Sequence, residues 1–150
     1  WTPADEEATR QAMDATGVTD LSGRRVDELS GGQRQRVWVA MVLAQQTGLL
    51  LLDEPTTFLD IAHQVELMDL FSELHEAGST VVAVLHDLNQ AARYATHLIA
   101  MKDGAVVAQG APGEIVTAEL VNYVFDLPCL VTPDPVTGTP SVSPIGRRGR

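Results

Sequence analysis

One cysteine, Cys129, occurs in the 150 residues. A lone thiol excludes an internal disulfide and fits a reducing compartment. Lysine also occurs once, at Lys102. Nothing around it matches G-x-x-x-x-G-K-[ST], so the usual backbone cradle for nucleotide phosphates is absent from the sequence. Positive charge is scarce overall: 10 basic residues face 20 acidic ones, a net charge of −10, which argues against nucleic acid as an electrostatic partner. No apolar run reaches the length of a membrane-spanning helix, and no secretory leader is recognisable. No internal repeat is found. The chain opens on Trp1 rather than methionine, which reads as a truncation. Its length suffices for one domain with a real core.

What is present concentrates between Leu29 and Asp60, which reads LSGGQRQRVWVAMVLAQQTGLLLLDEPTTFLD. Ser30-Gly31-Gly32 has no side-chain bulk on two successive residues, so backbone can approach a ligand closely there. A helix follows: Val37, Ala40, Met41 and Ala44 fall at i, i+3, i+4 and i+7. A helix N-terminus presents unpaired N–H groups and partial positive charge, both suited to phosphate. For a bare SGG, an ordinary Ser N-cap followed by two glycines is the better explanation. Leu21-Ser22-Gly23 looks similar, runs on into Arg24-Arg25 and is given no function. Leu49 to Leu52 is an apolar run short enough for a strand buried on both faces of a parallel sheet. Asp53 and Glu54 stand at its C-terminal end, where open α/β sheets place their ligands. Taken alone, Asp53-Glu54-Pro55 could equally open a helix, since proline suits a first turn.

Leu29 to Gln33, with Arg34-Gln35-Arg36 after it and Leu49–Glu54 twenty residues on, resembles the signature and Walker B motifs of ABC transporter ATPases. The resemblance covers nearly the whole chain but only the C-terminal half or so of a complete nucleotide-binding domain. It implies an incomplete α/β, P-loop NTPase-like fold: the end of the helical subdomain plus the C-terminal part of the parallel sheet, then a short hairpin and an irregular tail. It implies ATP and Mg²⁺ as ligands. Asp53 is then the Mg²⁺ residue, through water, and Glu54 the general base toward the attacking water. Both suit the chemistry: Mg²⁺ takes hard oxygen ligands, and the water must be oriented and relieved of a proton. Ser30, Gly31, Gly32 and Gln33 act on the nucleotide of a partner domain. Thr56-Thr57-Phe58-Leu59-Asp60 occupies the place of the family's D-loop, with Phe58 where alanine is common. The resemblance leaves Asp60 among the nucleotide-binding residues. The adenine-stacking aromatic and the glutamine loop precede the signature in the family and are not in this chain.

The remaining segments fit around these motifs. Residues 1–28 read as an amphipathic helical region with Thr2 as cap, Pro3 in the first turn, a weak stripe of Ala8, Ala12 and Ala15, and a stop at Gly17. After Asp60 a helix runs to about Ala77 with Leu67, Leu70, Phe71 and Leu74 on one face, ended by Gly78. His63 and His75 on it read as surface or packing residues, since no zinc-like spacing accompanies them. Thr80 to Leu85 is a second β-rich run. His86 after it resembles the family's switch histidine, which hydrogen-bonds the γ-phosphate, while Asp87 caps the next helix. Leu98–Met101 and Ala105–Gln109 flank Asp103-Gly104, a strong hairpin signal. Residues 110–113 read as a loop, and Glu114–Phe125 as two short helical pieces with Thr117 as cap. This divides the chain into 1–127, a partial ATPase domain split near 46/47, and 128–150, a Pro-rich tail expected to be irregular, with its last residues disordered.

The resemblance further implies a head-to-tail homodimer of ATPase domains, membrane permease subunits, an indirect substrate-binding protein, and a peripheral position on the cytoplasmic face of the plasma membrane. Thr56–Gln64, His86–Ala91 and Pro133–Pro140 look most like the ATPases of ferric-siderophore importers, with cobalamin and haem importers close by. A chromosome-maintenance ATPase would show heptads before the signature, and residues 1–28 show none. A translation-factor ATPase would carry two cassettes. The non-enzymatic alternative is a remnant without a P-loop that is inactive alone and only binds a partner.

Overall fold

Thr2 starts the first helix by accepting the Asp5 N–H while the Asp5 carboxylate receives the Thr2 N–H, a reciprocal capping box. The computed structural model describes residues 1–146, so the expected disorder at 147–150 lies outside the described residues. This helix, α1 (Pro3–Ala15), buries Ala8 and Ala12, whereas Ala15 is exposed and Thr16 takes the buried place. It stops as the glycine predicts. Gly17 sits at φ 63°, and the Val18 and Gly17 N–H groups return to the Met13 and Asp14 carbonyls. Two short turns lead to α2 (Gly31–Leu43). Ala12, Val18 and Ala40 form a small core joining α1 to α2, with Val37 and Ala44 packed against it. Met41, expected on the buried stripe, is 59% exposed: the contact with α1 is centred on the Val37, Ala40 and Ala44 line, and Met41 falls beside it.

Next come β1 (Leu49–Asp53), α3 (Ile61–Glu76) and β2 (Thr80–Val84), a βαβ unit whose strands pair in parallel from Leu49↔Thr80 to Asp53↔Val84. Leu67, Met68 and Phe71 are the buried face of α3, which packs on β2 and ends at Gly78 with the same glycine motif as α1. The expectation that Leu49–Leu52 is buried on both faces is corrected. Leu50 and Leu52 are buried, but Leu49 is 51% and Leu51 68% exposed, so the strand alternates between a covered and an open face.

Trp1–Leu85 forms one compact unit, and the chain from His86 onward forms a second. In the second, Asp87 caps α4 (Leu88–Tyr94) by accepting from Asn89 and Gln90. The hairpin of β3 (Leu98–Lys102) and β4 (Ala105–Gly110) turns at Asp103 and Gly104, both at positive φ as a type I′ turn requires. α5 (Pro112–Ile115) begins inside the segment expected to be loop, because proline at its first position needs no N–H partner. α6 (Ala118–Phe125) follows its Thr117 cap. The sole lysine, Lys102, lies 4.5 Å from the Tyr123 ring and bonds its carbonyl.

Among the described residues the tail is not irregular. β5 (Cys129–Pro133) and β6 (Pro140–Pro144) make an antiparallel hairpin that buries Cys129 and Val142 with Val121 of α6. Its prolines stand at strand ends, where a missing N–H removes no interior ladder bond. Asp134 builds the turn. Its carboxylate accepts the Val136 and Thr137 N–H groups at 2.9 Å each and pairs with Arg93 at 2.7 Å. Those bonds, the Thr137 amide foremost and then Arg93, hold the Asp134 carboxyl well below its ordinary 3.8. A depressed folded-state pKa means this contribution is complete above pH 3.8 and fades as pH falls through the folded value. The Val136 and Thr137 amide shifts of the wild type should therefore hold constant down to pH 3.8 and move only below it. In Asp134→Ala they should sit at the loosened position already at neutral pH. Coincident neutral-pH spectra for the two proteins would count against the turn's dependence on Asp134.

Candidate functional site

Ser30 is an N-cap, as the bland interpretation of SGG holds. Its Oγ accepts the Gln33 N–H at 3.2 Å, and the Gln33 side-chain oxygen accepts the Ser30 N–H at 3.1 Å. This box consumes the third amide of α2 and leaves the first two, on Gly31 and Gly32, with no intrahelical acceptor. The cap and the ligand interpretation are thus compatible: capping fixes the helix start and the glycines keep it bare.

That helix start opens on a cleft of about 610 Å³, lined by Ser30, Gly31, Gly32, Gln33 and Arg36 from α2 and by Phe58, Leu59, Asp60 and His63 from the loop and start of α3. The loop lies against the glycines. A Cβ on Gly32 would stand 3.3 Å from the Phe58 carbonyl oxygen, and one on Gly31 would stand 3.4 Å from the Phe58 Cβ. Asp60 caps α3, accepting the His63 N–H at 2.9 Å and facing His63 Nδ1 at 2.7 Å. The His63 backbone bond first, and the side-chain bond second, hold the Asp60 carboxyl below its ordinary range. The cleft therefore combines an electropositive helix end, one guanidinium and one firmly ionised carboxylate.

Asp53 is the exposed last residue of β1. Glu54 follows in a left-handed conformation, φ 49°, as does Phe58 at 67°. Such backbone costs a non-glycine residue about 1–3 kcal/mol and persists only where surroundings impose it. Here the Glu54 N–H reaches the Val84 carbonyl at 3.1 Å, and the Thr57 N–H reaches the Glu54 carbonyl at 3.1 Å. The Thr57 hydroxyl donates to the Glu54 carboxylate at 3.2 Å. Pro55 behind it is fully buried.

Of the residues marked from sequence, Ser30, Gly31, Gly32, Gln33 and Asp60 share the cleft. Asp53 and Glu54 stand at the end of β1, and His86 is an exposed residue of the second unit. Arg36, Phe58 and His63 were not anticipated as cleft residues. For His63 the signal was its i+3 spacing from Asp60, a helix-cap partner position. Among the described residues no three His, Cys, Asp or Glu side chains could together hold a metal ion. A lone exposed carboxylate does fit Mg²⁺, which keeps several waters and takes one or two carboxylates beside substrate phosphates. No described helix is long and apolar enough to cross a membrane.

The sequence profile described as ABC transporter matches residues 3–57. The chain is 62% identical over 148 residues to a ferric enterobactin transport ATP-binding protein of Escherichia coli K12, covering 98% of this chain and 55% of that protein. The chain thus spans about half the length of the curated relatives it matches. Its fold superposes on a metal-chelate type ABC transporter solved in an inward-facing conformation, with TM-score 0.85, 28% identity, and coverage of 99% of this chain and 60% of that one. A dimeric bacterial ABC transporter cassette gives TM-score 0.66 at 33% identity, over 70% of this chain and 46% of that one.

Proposed function

We propose, for a chain that belongs to the ABC transporter ATP-binding family, that it is the C-terminal part of an importer's ATP-hydrolysing subunit working on iron–siderophore or related chelates. In this reading residues 1–46 end the helical subdomain, 47–127 carry the catalytic strand ends, and two subunits pair head to tail on permease subunits at the inner face of the membrane. The observation that carries the reading is the capped, glycine-bare start of α2 opening on one cleft with Asp60. Anion binding at such a helix end is a direct consequence of its unpaired amides and dipole.

The assigned roles follow from the chemistry. Ser30, Gly31, Gly32 and Gln33 receive the γ-phosphate of ATP held by the partner domain, and Asp60 lines the same cleft. On the nucleotide of its own subunit, Glu54 accepts a proton from the water whose oxygen attacks the γ-phosphorus as the bond to the departing ADP oxygen breaks. His86 donates a hydrogen bond to that phosphate. Asp53 would hold Mg²⁺ through water, and the ion when bound neutralises phosphate charge. Positioning and charge stabilisation account for most of such catalysis.

Because no phosphate cradle occurs in its sequence, the 150-residue chain alone is expected to be inactive. Deleting the gene should abolish uptake of labelled ferric siderophore. A complete subunit should restore uptake, and the segment encoding these residues alone should not. Unchanged uptake on deletion would reject the cargo, and rescue by the segment would reject the inactivity. A second reading, a partner-binding module without turnover, draws on the open Leu49 and Leu51 face. It predicts that the gene encodes no phosphate-binding loop in frame ahead of residue 1, and finding one would reject it.

A further inference from the structure

The backbone at Glu54–Pro55 is held by a side chain of α2. Gln35 sits one turn into α2, half-buried, and its Nε2 donates to the Pro55 carbonyl at 3.0 Å, with the Glu54 carbonyl at 3.5 Å as a longer second arm. Further bonds to the turn come from Val84 on the neighbouring strand and from Thr57 within the turn itself. Gln35 is the member that belongs to the helix whose first turn lines the cleft. A second link joins the same two pieces, since Phe58 and Leu59 lie so near Gly31 and Gly32 that a Cβ on either glycine would meet them at 3.3–3.8 Å. A shift of the α2 start is therefore carried to both ends of the turn, 54–55 and 58–59.

We propose that Gln35 is a positioning residue that ties the aim of the Glu54 carboxylate to the seating of the α2 N-terminus. The proposal rests on the reading of Glu54 as base and of Ser30–Gly32 as the contact to the partner's nucleotide. Under that reading the two ends of the clamp serve different nucleotides. Phosphate docking at one site then bears on the water-activating carboxylate of the other, with the Gln35 side-chain amide as one link. Glu54 needs such support because its left-handed backbone is not self-sustaining.

Gln35→Glu keeps the shape and removes the donor, while Gln35→Lys restores a donor. In the complete subunit Gln35→Glu should lower kcat by about 10- to 10²-fold, the range for a misplaced catalytic group, with KM for ATP unchanged. Gln35→Lys should recover most of that loss. Placed on Glu54→Gln, Gln35→Glu should cost nothing further, because both act through one group. In the 150-residue chain, NMR relaxation dispersion of residues 54–57 should report exchange in Gln35→Glu that the wild type lacks. A wild-type subunit that turns over while Gln35→Glu keeps its kcat overturns the proposal, as does an additive loss on Glu54→Gln. A wild-type subunit with no turnover is a different failure, since it removes the role of Glu54 and the proposal with it.

Discussion

Glu54→Gln in the complete subunit is expected to cut ATP turnover by about 10²–10⁴-fold, the usual cost of losing a general base, while ATP remains bound. The substitution is nearly isosteric. The glutamine side chain still offers an oxygen to the Thr57 hydroxyl, which bonds the carboxylate at 3.2 Å. The backbone bonds to Val84 and from Thr57 involve no side-chain atom and persist. The turn should therefore keep its geometry and lose only the proton acceptor. Glu54 has no part in seating the phosphates under the proposed roles, so the closed pair of domains should accumulate with nucleotide trapped. Single-turnover phosphate release, with sizing of the ATP-bound species, measures both halves. Turnover within a few fold of wild type would remove Glu54 from the base position. Loss of nucleotide binding would place it among the binding groups instead.

The features legible in the sequence are those with local causes. Thr2, Ser30, Asp87 and Thr117 each cap the helix expected of them, because a short oxygen-bearing side chain ahead of a periodic apolar run has little else to do. Gly17, Gly78 and Asp103-Gly104 end or reverse the chain for reasons of φ alone. The Ser30–Gln33 and Asp60 motifs share a cleft because each opens a helix and the two helix starts are neighbours.

What escaped the sequence depends on contacts distant along the chain. The left-handed Glu54 and Phe58 are imposed by Val84, by Gln35 and by the glycines of α2, none of which is a sequence neighbour. A run of four leucines says only that a strand is apolar. Which face is covered depends on the partners present, and here Leu49 stays 51% and Leu51 68% exposed. The tail hairpin was hidden by its prolines, which read as breakers. Pro133 and Pro140 face one another beside the turn, and Asp134 supplies the acceptors that the turn requires. Its attachment to α4 was equally invisible. The Asn89 side chain accepts the Val142 N–H at 2.7 Å and donates to the Val142 carbonyl at 3.3 Å, across 53 residues.

The assignment of Ser30–Gln33 to the partner's nucleotide and of Glu54 to the subunit's own has its own consequence in mixed dimers. Ser30→Arg places bulk and a cation where the partner's phosphate docks, and it should block closure at that site. It also removes a cap worth about 1 kcal/mol, so Ser30→Ala serves as the control that loses the cap without the bulk. Consider a dimer with Glu54→Gln in one subunit and Ser30→Arg in the other. The nucleotide held by the Glu54→Gln subunit meets the other subunit's damaged signature, so both defects fall in one site and the second site is intact. With both substitutions in one chain and a wild-type partner, each site carries one defect. The first dimer should therefore retain more hydrolysis than the second, given that one intact site turns over by itself. Purified heterodimers carrying different affinity tags allow the rates to be compared directly. Equal rates leave two explanations, strict coupling of the sites or a signature that acts within its own subunit. A crosslink from position 30 to the partner's phosphate-binding loop, trapped with ATP, separates them: it forms under coupling and fails if the signature works in its own chain.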